Sequence, residues 1–484
     1  MESKLYPFGF LFTDRDVKSV PGYFVNKKIL GKYNYFTKDD VNKKIYEKNN
    51  SFILIHGEFL HIGIEDSIPE NYLIQKLLDD YLNSYDDFLD TLDYIAGRYV
   101  IIIGDTNNVN IYPDATNSRS TYFIEGQICI SSHAKLLDEV FSLGASNVIP
   151  NFHNTLFNTP FRNVKSVTPN FSTALPNGNV QRFFPRMNNK FKNMDEDLKF
   201  SLIEKFWKKQ VSEVFSKSNN VILTITGGGD SRMSLALARE HIKDIDLVTY
   251  AFSDTNSVDD TDITSQVLSQ DNIIVKDMVK ELNLKHKFLY FDQNSTKLTQ
   301  SENNIVKKNT IAIHSPFFIP FIKENFKINN LIHIRANLLE IGQAYYFRNY
   351  KESTLENLLK RFLYKNKSYI TDDNREKVIM MFEDFISKTK YDNNTYDYHL
   401  LDLMYWEIHM GRWHAEIINT HDFIIETVSP FNHRALIDIT LSFDYEKRKN
   451  RYFQYELINR NYPVLNFFGL NELKNLYEQT KNFD

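Results

Sequence analysis

Residues 221–240 read VILTITGGGDSRMSLALARE, and five of them, Thr226, Gly227, Gly228, Gly229 and Ser231, are of the types that grip an anion, with Asp230 set among them. The apolar run before them predicts a strand and the run after them a helix, so the glycines fall where the strand ends and the helix begins. The first amides of a helix have no intrahelical partner, and its dipole favours negative charge there. Glycine lets a backbone approach an oxyanion closely and adopt positive φ. Ser231 and Thr226 would add hydroxyl donors on either side. Asp230 alone is a poor neighbour for phosphate, but it suits a magnesium ion bridging phosphate oxygens. The loop therefore suits a magnesium polyphosphate. It is not the P-loop of kinases and GTPases, because no GK[ST] follows, and it lacks the GxGxxG pattern with a later ribose-binding acid. A ligand-free tight turn is the bland alternative; with only 16 glycines in 484 residues, three in a row beside an Asp-Ser pair weigh against it.

The elements that would position this loop alternate. A helix is predicted over 199–216, the strand and glycines follow, then a helix over 231–242, a strand over 246–252, a helix near 272–283 and strands over 286–291 and 331–334. That alternation implies a parallel sheet. Upstream, short β-branched and aromatic runs predict strands over 51–64, 98–105, 108–113, 120–132 and 172–184, with helices over 70–85 and 134–143. The polar stretch PRMNNKFKNMDEDL, 185–198, reads as a linker. Two domains, 1–185 and 198–484, are expected. Beyond residue 300 the chain reads mainly as helix.

Composition narrows the partners. A net charge of -5 argues against a broad basic face for nucleic acid. The single cysteine, Cys129, excludes an internal disulfide framework and any multi-cysteine metal site, and reads as a small buried strand residue. No apolar run approaches the roughly 20 residues of a membrane helix, and the start does not read as a signal peptide. The cytoplasm is the default location. His409 and His414 lie five apart, on different faces of an α-helix, and read as packing residues. The aromatic run 317–326, FFIPFIKENF, reads as core.

The stretch 226–231 resembles the SGGxDS pyrophosphate loop of the asparagine synthetase-like ATP pyrophosphatases, with Thr226 in place of the first serine. Upstream, residues 92–123 and ICISSHAKLL (128–137) resemble segments of class II glutamine amidotransferase domains. The order matches glutamine-dependent asparagine synthetases and relatives such as β-lactam synthetases and lasso-peptide cyclases. The resemblance covers most of the chain, is faint before residue 90 and is specific only at 226–232. It implies an α+β N-terminal-nucleophile-like αββα sandwich followed by an α/β parallel-sheet domain that is helix-rich at its C-terminal end. It also implies ATP and magnesium as cofactors, adenine near Ile225 and Phe252, a small-molecule or peptide carboxylate substrate, and ammonia or an amine as the acceptor. Such relatives are commonly homodimers.

Departures from the family refine the expectation. A glutaminase of this class needs an N-terminal cysteine nucleophile; Glu2 follows Met1 here, so no glutaminase activity is expected. The family's second acidic motif is best matched by residues 335–345, RANLLEIGQAY, where Glu340 and Tyr345 align. Leu339 stands at the magnesium-binding Asp and Ala336 at the intermediate-binding Glu. Asp230 and Glu340 remain as the metal ligands. Arg335 is a bidentate phosphate ligand or a surface ion-pair partner. Residues 424–443 resemble the family's "ExRxPF" segment through Glu426, Pro430 and Phe431, with Val428 in place of the arginine. Lys449 or Lys447 would stabilise charge on the reacting acyl group, against a plain solvated helix end. The resulting expectation is an AMP-forming amide ligase; ammonia-dependent asparagine synthesis, amidation of a sugar acid and an inactive binding protein are the rivals.

Overall fold

The computed structural model describes residues 4–251, 263–290, 297–346 and 350–475, together with Glu478. Its described N-terminal part builds two six-stranded antiparallel sheets. One contains β1 (Phe10–Thr13), β2 (Val25–Ile29), β3 (Tyr33–Thr37), β8 (Tyr122–Ile124), β9 (Cys129–Ser131) and β10 (Val164–Ser166), in the order β10-β8-β9-β1-β3-β2. The other contains β4 (Lys43–Lys48), β5 (Ser51–His61), β6 (Ile95–Asp105), β7 (Val109–Pro113), β11 (Phe171–Leu175) and β12 (Asn179–Arg182), in the order β12-β11-β7-β6-β5-β4.

Alternation along the strands sets the layers. On β5, Phe52 and Leu54 pack between the sheets with Phe12, Tyr33, Val100 and Ile102, while Ile53 and Ile55 face outward under a helical layer. That outer layer is α1 (Glu70–Asn83) and α2 (Tyr85–Asp93), which bury Leu73, Leu77 and Phe88. On the far side α3 (Ala134–Phe141) packs against β8 and β9 through Leu136 and Leu137. The result is helix, sheet, sheet, helix. Both faces of β5 and β6 are covered, hence their nearly unbroken apolar runs.

The second part holds a five-stranded parallel sheet. Its order is β15 (His286–Tyr290), β14 (Ile245–Ala251), β13 (Val221–Thr224), β16 (Ile332–Ile334) and β17 (Glu426–Val428). One face carries α4 (Glu196–Lys217), α5 (Gly229–Leu237) and α6 (Ile263–Leu282); the other carries α7 (Gln300–Asn309) and α8 (Phe318–Asn325). The aromatic run 317–326 supplies Phe318, Phe321 and Ile322 to that second face, as core. Chain order reverses between β13 and β16, where open α/β sheets form a crevice at the strands' C-terminal ends. The later helices are α9 (Leu355–Lys365), α10 (Arg375–Thr389), α11 (Leu400–Leu403), a π-helix (Met404–His414), α12 (Ala415–His421), α13 (Arg434–Leu441), α14 (Tyr445–Lys449) and α15 (Tyr452–Asn461). No helix among the described residues is long and apolar enough to cross a membrane.

Several expectations change. The strand expected over 120–132 is two, β8 and β9, broken by a turn with Gly126 at φ +81°. The one over 172–184 is the hairpin β11–β12, turned at Gly178 with φ +72°. The helical run over 70–85 ends at Ser84, and α2 starts anew. The polar stretch 185–198 is no free tether: Phe191 is buried and Asn189 Nδ2 donates to Asp438 Oδ1 at 2.8 Å. Polar interactions tie the two halves together. Arg98 grips both carboxylate oxygens of Asp422 at 2.7 and 2.6 Å, Arg182 pairs with Glu407 at 2.7 Å, and Trp406 Nε1 donates to the Ala115 carbonyl at 2.7 Å. One apolar cluster runs from Ile53 through Trp207 to Leu465.

Candidate functional site

The glycine loop leaves the C-terminal end of β13, and α5 begins at Gly229 with Gly228 as its N-cap. None of the three glycines takes a positive φ. Their small size serves close packing instead. A Cβ on Gly227 would lie 2.8 Å from Ile274 Cδ1 and 2.9 Å from Asp271 Oδ1, both on α6; one on Gly229 would lie 3.1 Å from Gln454 Oε1 on α15. The glycines let two helices lean on the corner, and this corrects the expectation that they are needed for backbone conformation.

Internal groups already bind part of the loop. The Thr226 amide donates to Ser231 Oγ at 2.9 Å, the Gly228 amide to Thr226 Oγ1 at 3.1 Å, and the Gly227 amide to Asp271 Oδ1 at 2.7 Å. Ser231 thus faces inward, bracing the loop, rather than offering a hydroxyl outward. Asp271 is the signal that sequence reasoning missed: its carboxylate sits on a loop amide, and burial pushes its pKa up to about 6. Gly228 carries no side chain, so α5 has no side-chain cap over its first turn. Ile225, buried, continues from β13; its amide donates to the Val248 carbonyl at 2.9 Å and its own carbonyl accepts from Thr249 Oγ1 at 2.8 Å. Phe252 lies outside the described residues.

Asp230 and Glu340 come together. Both carboxyls are raised above their usual pKa, first by desolvation; for Asp230 the nearby Glu340 charge adds to the shift. A cation beside two such acids would offset both the burial penalty and the repulsion. Gln343 Nε2 donates to Asp230 Oδ1 at 2.7 Å, and Gln454 Nε2 donates to the same oxygen. Glu340 is held by the Leu338 amide, donating to Oε2 at 2.8 Å, and by Asn337 Nδ2, donating to Oε1 at 3.2 Å. The backbone turns sharply there, with Leu338 at φ +89°. Leu339 and Ala336, where acids were looked for, are buried apolar residues. No cluster of three or more metal-capable side chains occurs among the described residues.

Arg335 leaves the end of β16, its Nε donating to Asn337 Oδ1, and its charge favours the ionised form of Glu340. No carboxylate pairs with it among the described residues, so the surface ion-pair reading finds no partner. Lys449 is elsewhere: it is half exposed, 3.8 Å from Glu446 and over the Tyr445 ring. Lys447 pairs with Glu196. The cation that α14 and α15 present to Asp230 is Arg451, at the N-cap of α15 with φ +58°, whose charge lowers the Asp230 pKa. It follows Lys447 and Lys449 by four and two residues, and nothing in its spacing sets it apart from them.

Tyr345 and Tyr346 follow the Glu340 turn, and both rings pack on Tyr405, at 5.3 and 4.8 Å. Burial, then the Glu340 charge, keeps the Tyr405 phenol protonated. Tyr405 belongs to the π-helix, where residues five apart share a face. His409 and His414 therefore lie on one face, not on different faces. Burial first, and neighbouring charges next, hold both neutral. Cys129 is fully buried on β9, and burial raises its thiol to about 12, as an inert core residue.

No protein-family model matches the chain, and no curated protein matches it. Among solved structures it is similar to one described as the allosteric regulatory enzyme of purine biosynthesis, with 9% identity, 69% of each chain covered and a TM-score of 0.24. It is also similar to the glutamine phosphoribosylpyrophosphate amidotransferase of B. subtilis, complexed with ADP and GMP, with 9% identity, 70% of this chain and 71% of that one covered, and a TM-score of 0.21. Likenesses this distant assign neither family nor activity.

Proposed function

We propose that the chain is an ATP-dependent, AMP- and pyrophosphate-forming amide ligase without a glutaminase of its own. The observation that carries this reading is the Asp230–Glu340 carboxylate pair, set beside a glycine loop at the crevice between β13 and β16. The two acids fit magnesium, because burial penalises the ionised form of both and the Glu340 charge adds to that penalty at Asp230, a cost that a bound cation would offset. A magnesium ion there would neutralise phosphate oxygens and leave its other positions to phosphate and water. The first-turn amides of α5 would hold the phosphate tail and Arg335 would neutralise it. A substrate carboxylate oxygen then attacks the α-phosphorus, the bond to the bridging oxygen breaks, and pyrophosphate leaves. Ammonia or an amine attacks the acyl carbon, AMP leaves, and the nitrogen loses a proton. Arg451 takes the charge-stabilising role that the sequence offered to Lys449.

Incubation with ATP, magnesium and pooled carboxylates, read as pyrophosphate release, tests the proposal. Release that depends on both magnesium and a carboxylate supports it. ATP left intact across carboxylate pools with ammonia and amines present contradicts it.

One observation favours a second reading, an inactive binding protein. Asp271 occupies the Gly227 amide, and the Asn471 amide donates to the Gly227 carbonyl at 3.0 Å, so part of the loop is engaged within the chain. Nucleotide binding without turnover is the outcome that reading requires.

A further inference from the structure

Beyond Tyr405, away from the carboxylate pair, lies a small cavity of about 30 Å³ lined by Lys365, Asn366, His409, Arg412, Trp413 and Tyr346, among others. Its charge is one-sided. Arg412 is 4% exposed, donates through Nη2 to the Asn158 carbonyl at 2.7 Å, and its buried Nε has no hydrogen-bond partner. Lys365 has an exposed stem, but its amino group contacts His409 Nδ1. Arg361, one turn earlier on α9, stacks on Tyr346 with 4.0 Å to the ring centroid. No carboxylate lines the cavity, and none of these three cations has an acidic partner among the described residues.

Gathering three cations, one of them buried, without counter-charge is costly, and the cost is offset when an anion completes the set. We propose that this cavity is a subsite for a small oxyanionic group, a carboxylate or a phosphate, gripped by Lys365 and Arg412 and flanked by Asn366 and His409. On the ligase reading, on which only this sentence rests, the group is a second, non-reacting anionic end of the substrate, and Tyr405 is the wall between the two ends. The cavity, about 30 Å³, is too small for a nucleotide.

Lys365 supplies a handle. Burial of its amino end, with Arg361 adding repulsion, brings it down to about 7. The groups facing it are Arg361 on its own helix, His409 and Arg412 on the π-helix, and Tyr346, none of them anionic; His409 is held neutral. A lowered lysine pKa means the ammonium is lost as pH rises through that value, so anion binding weakens above pH about 7.

The test is amine-selective acylation of the full chain at neutral pH, with no nucleotide present, read at Lys365 by mass spectrometry. Succinate and inorganic phosphate are the probes, and chloride at equal ionic strength is the control. We expect Lys365 to be acylated faster than surface lysines, and to be slowed about tenfold by a probe at ten times its dissociation constant. Protection by succinate or by phosphate supports the subsite, and the stronger of the two names the class. Lys365→Met, at an exposed position on α9, should weaken probe binding about tenfold to a hundredfold. Lys365→Arg should restore binding and abolish its decline above neutral pH. Equal acylation in all three salts overturns the proposal. Protection without any ATP turnover leaves the subsite standing and removes the ligase; turnover with unprotected Lys365 does the reverse.

Discussion

At the scale of residues, the site is set by carboxylates in places that disfavour them. Asp230 accepts hydrogen bonds from Gln343 and Gln454, and an asparagine oxygen could accept the same bonds. Asp230→Asn is therefore expected to melt no lower than the parent, while ATP consumption falls by about a hundredfold or more if Asp230 holds magnesium as proposed. Calorimetry beside a pyrophosphate assay checks both halves; undiminished consumption would remove Asp230 from the chemistry. Asp271 gives a pH signature. Its folded pKa of about 6 exceeds the ordinary value of about 3.9, so the folded state binds more protons than the unfolded state between those limits. Its contribution to stability thus grows as pH falls through 6 and is lost as pH rises. Asp271→Asn should be more stable than the parent at pH 7 to 8, with the difference vanishing near pH 4. Denaturant melts across pH would show it, and a constant difference would contradict the assignment.

At the scale of elements, the loop is held from three sides: α6 at Gly227, α15 at Gly229 and the C-terminal segment after α15. Arg232, buried on α5, donates to the carbonyls of Leu465, Phe468, Gly469 and Gly227, at 3.1, 3.0, 2.5 and 3.2 Å. Arg232→Met would leave those carbonyls to compete for water, so a loss of about 3 kcal/mol or more is expected, with faster hydrogen exchange over 463–475. Exchange unchanged there would mean the segment is held by other contacts. Much of this was legible in sequence: β14 and β15 fall within a residue of their predicted spans, because strand runs dominate there, whereas α5 starts two residues early and ends at Leu237, five short of 242, where a 3-10 turn takes over. The rest was not. Strand β2, VNKKI, exposes four of its five residues, so no alternation marks it. The π-helix reads as an ordinary helical run, since nothing local distinguishes an i+5 ladder from an i+4 one. Arg451 and Asp271 gain their roles from distant contacts that no spacing encodes.

At the scale of the molecule, the two halves share one core and a buried polar seam. Arg98 meets Asp422 with both partners nearly inaccessible, and Asp114 accepts from the Thr116, Ser118 and Arg119 amides and from Asn432 across the seam. Removing one partner leaves an unpaired buried charge, so Arg98→Leu should cost about 3–5 kcal/mol. Thermal unfolding of the parent should be a single transition, since one apolar cluster and the buried polar seam run through both halves; two well-separated transitions would show that the seam is only a contact between independent domains. The resemblance that pointed to two joined units was readable in the order of motifs, whereas the depth of their union lies in pairs more than three hundred residues apart.

The central claim is that amides at the β13–α5 corner hold a nucleotide's phosphates. It is tested most directly by titrating magnesium-ATP into protein labelled with ¹⁵N only at glycine. The account expects the Gly227, Gly228 and Gly229 amide resonances to shift together with saturation, and not to shift in Asp230→Asn. Nucleotide bound with those three resonances unmoved, or no binding at all, would contradict it.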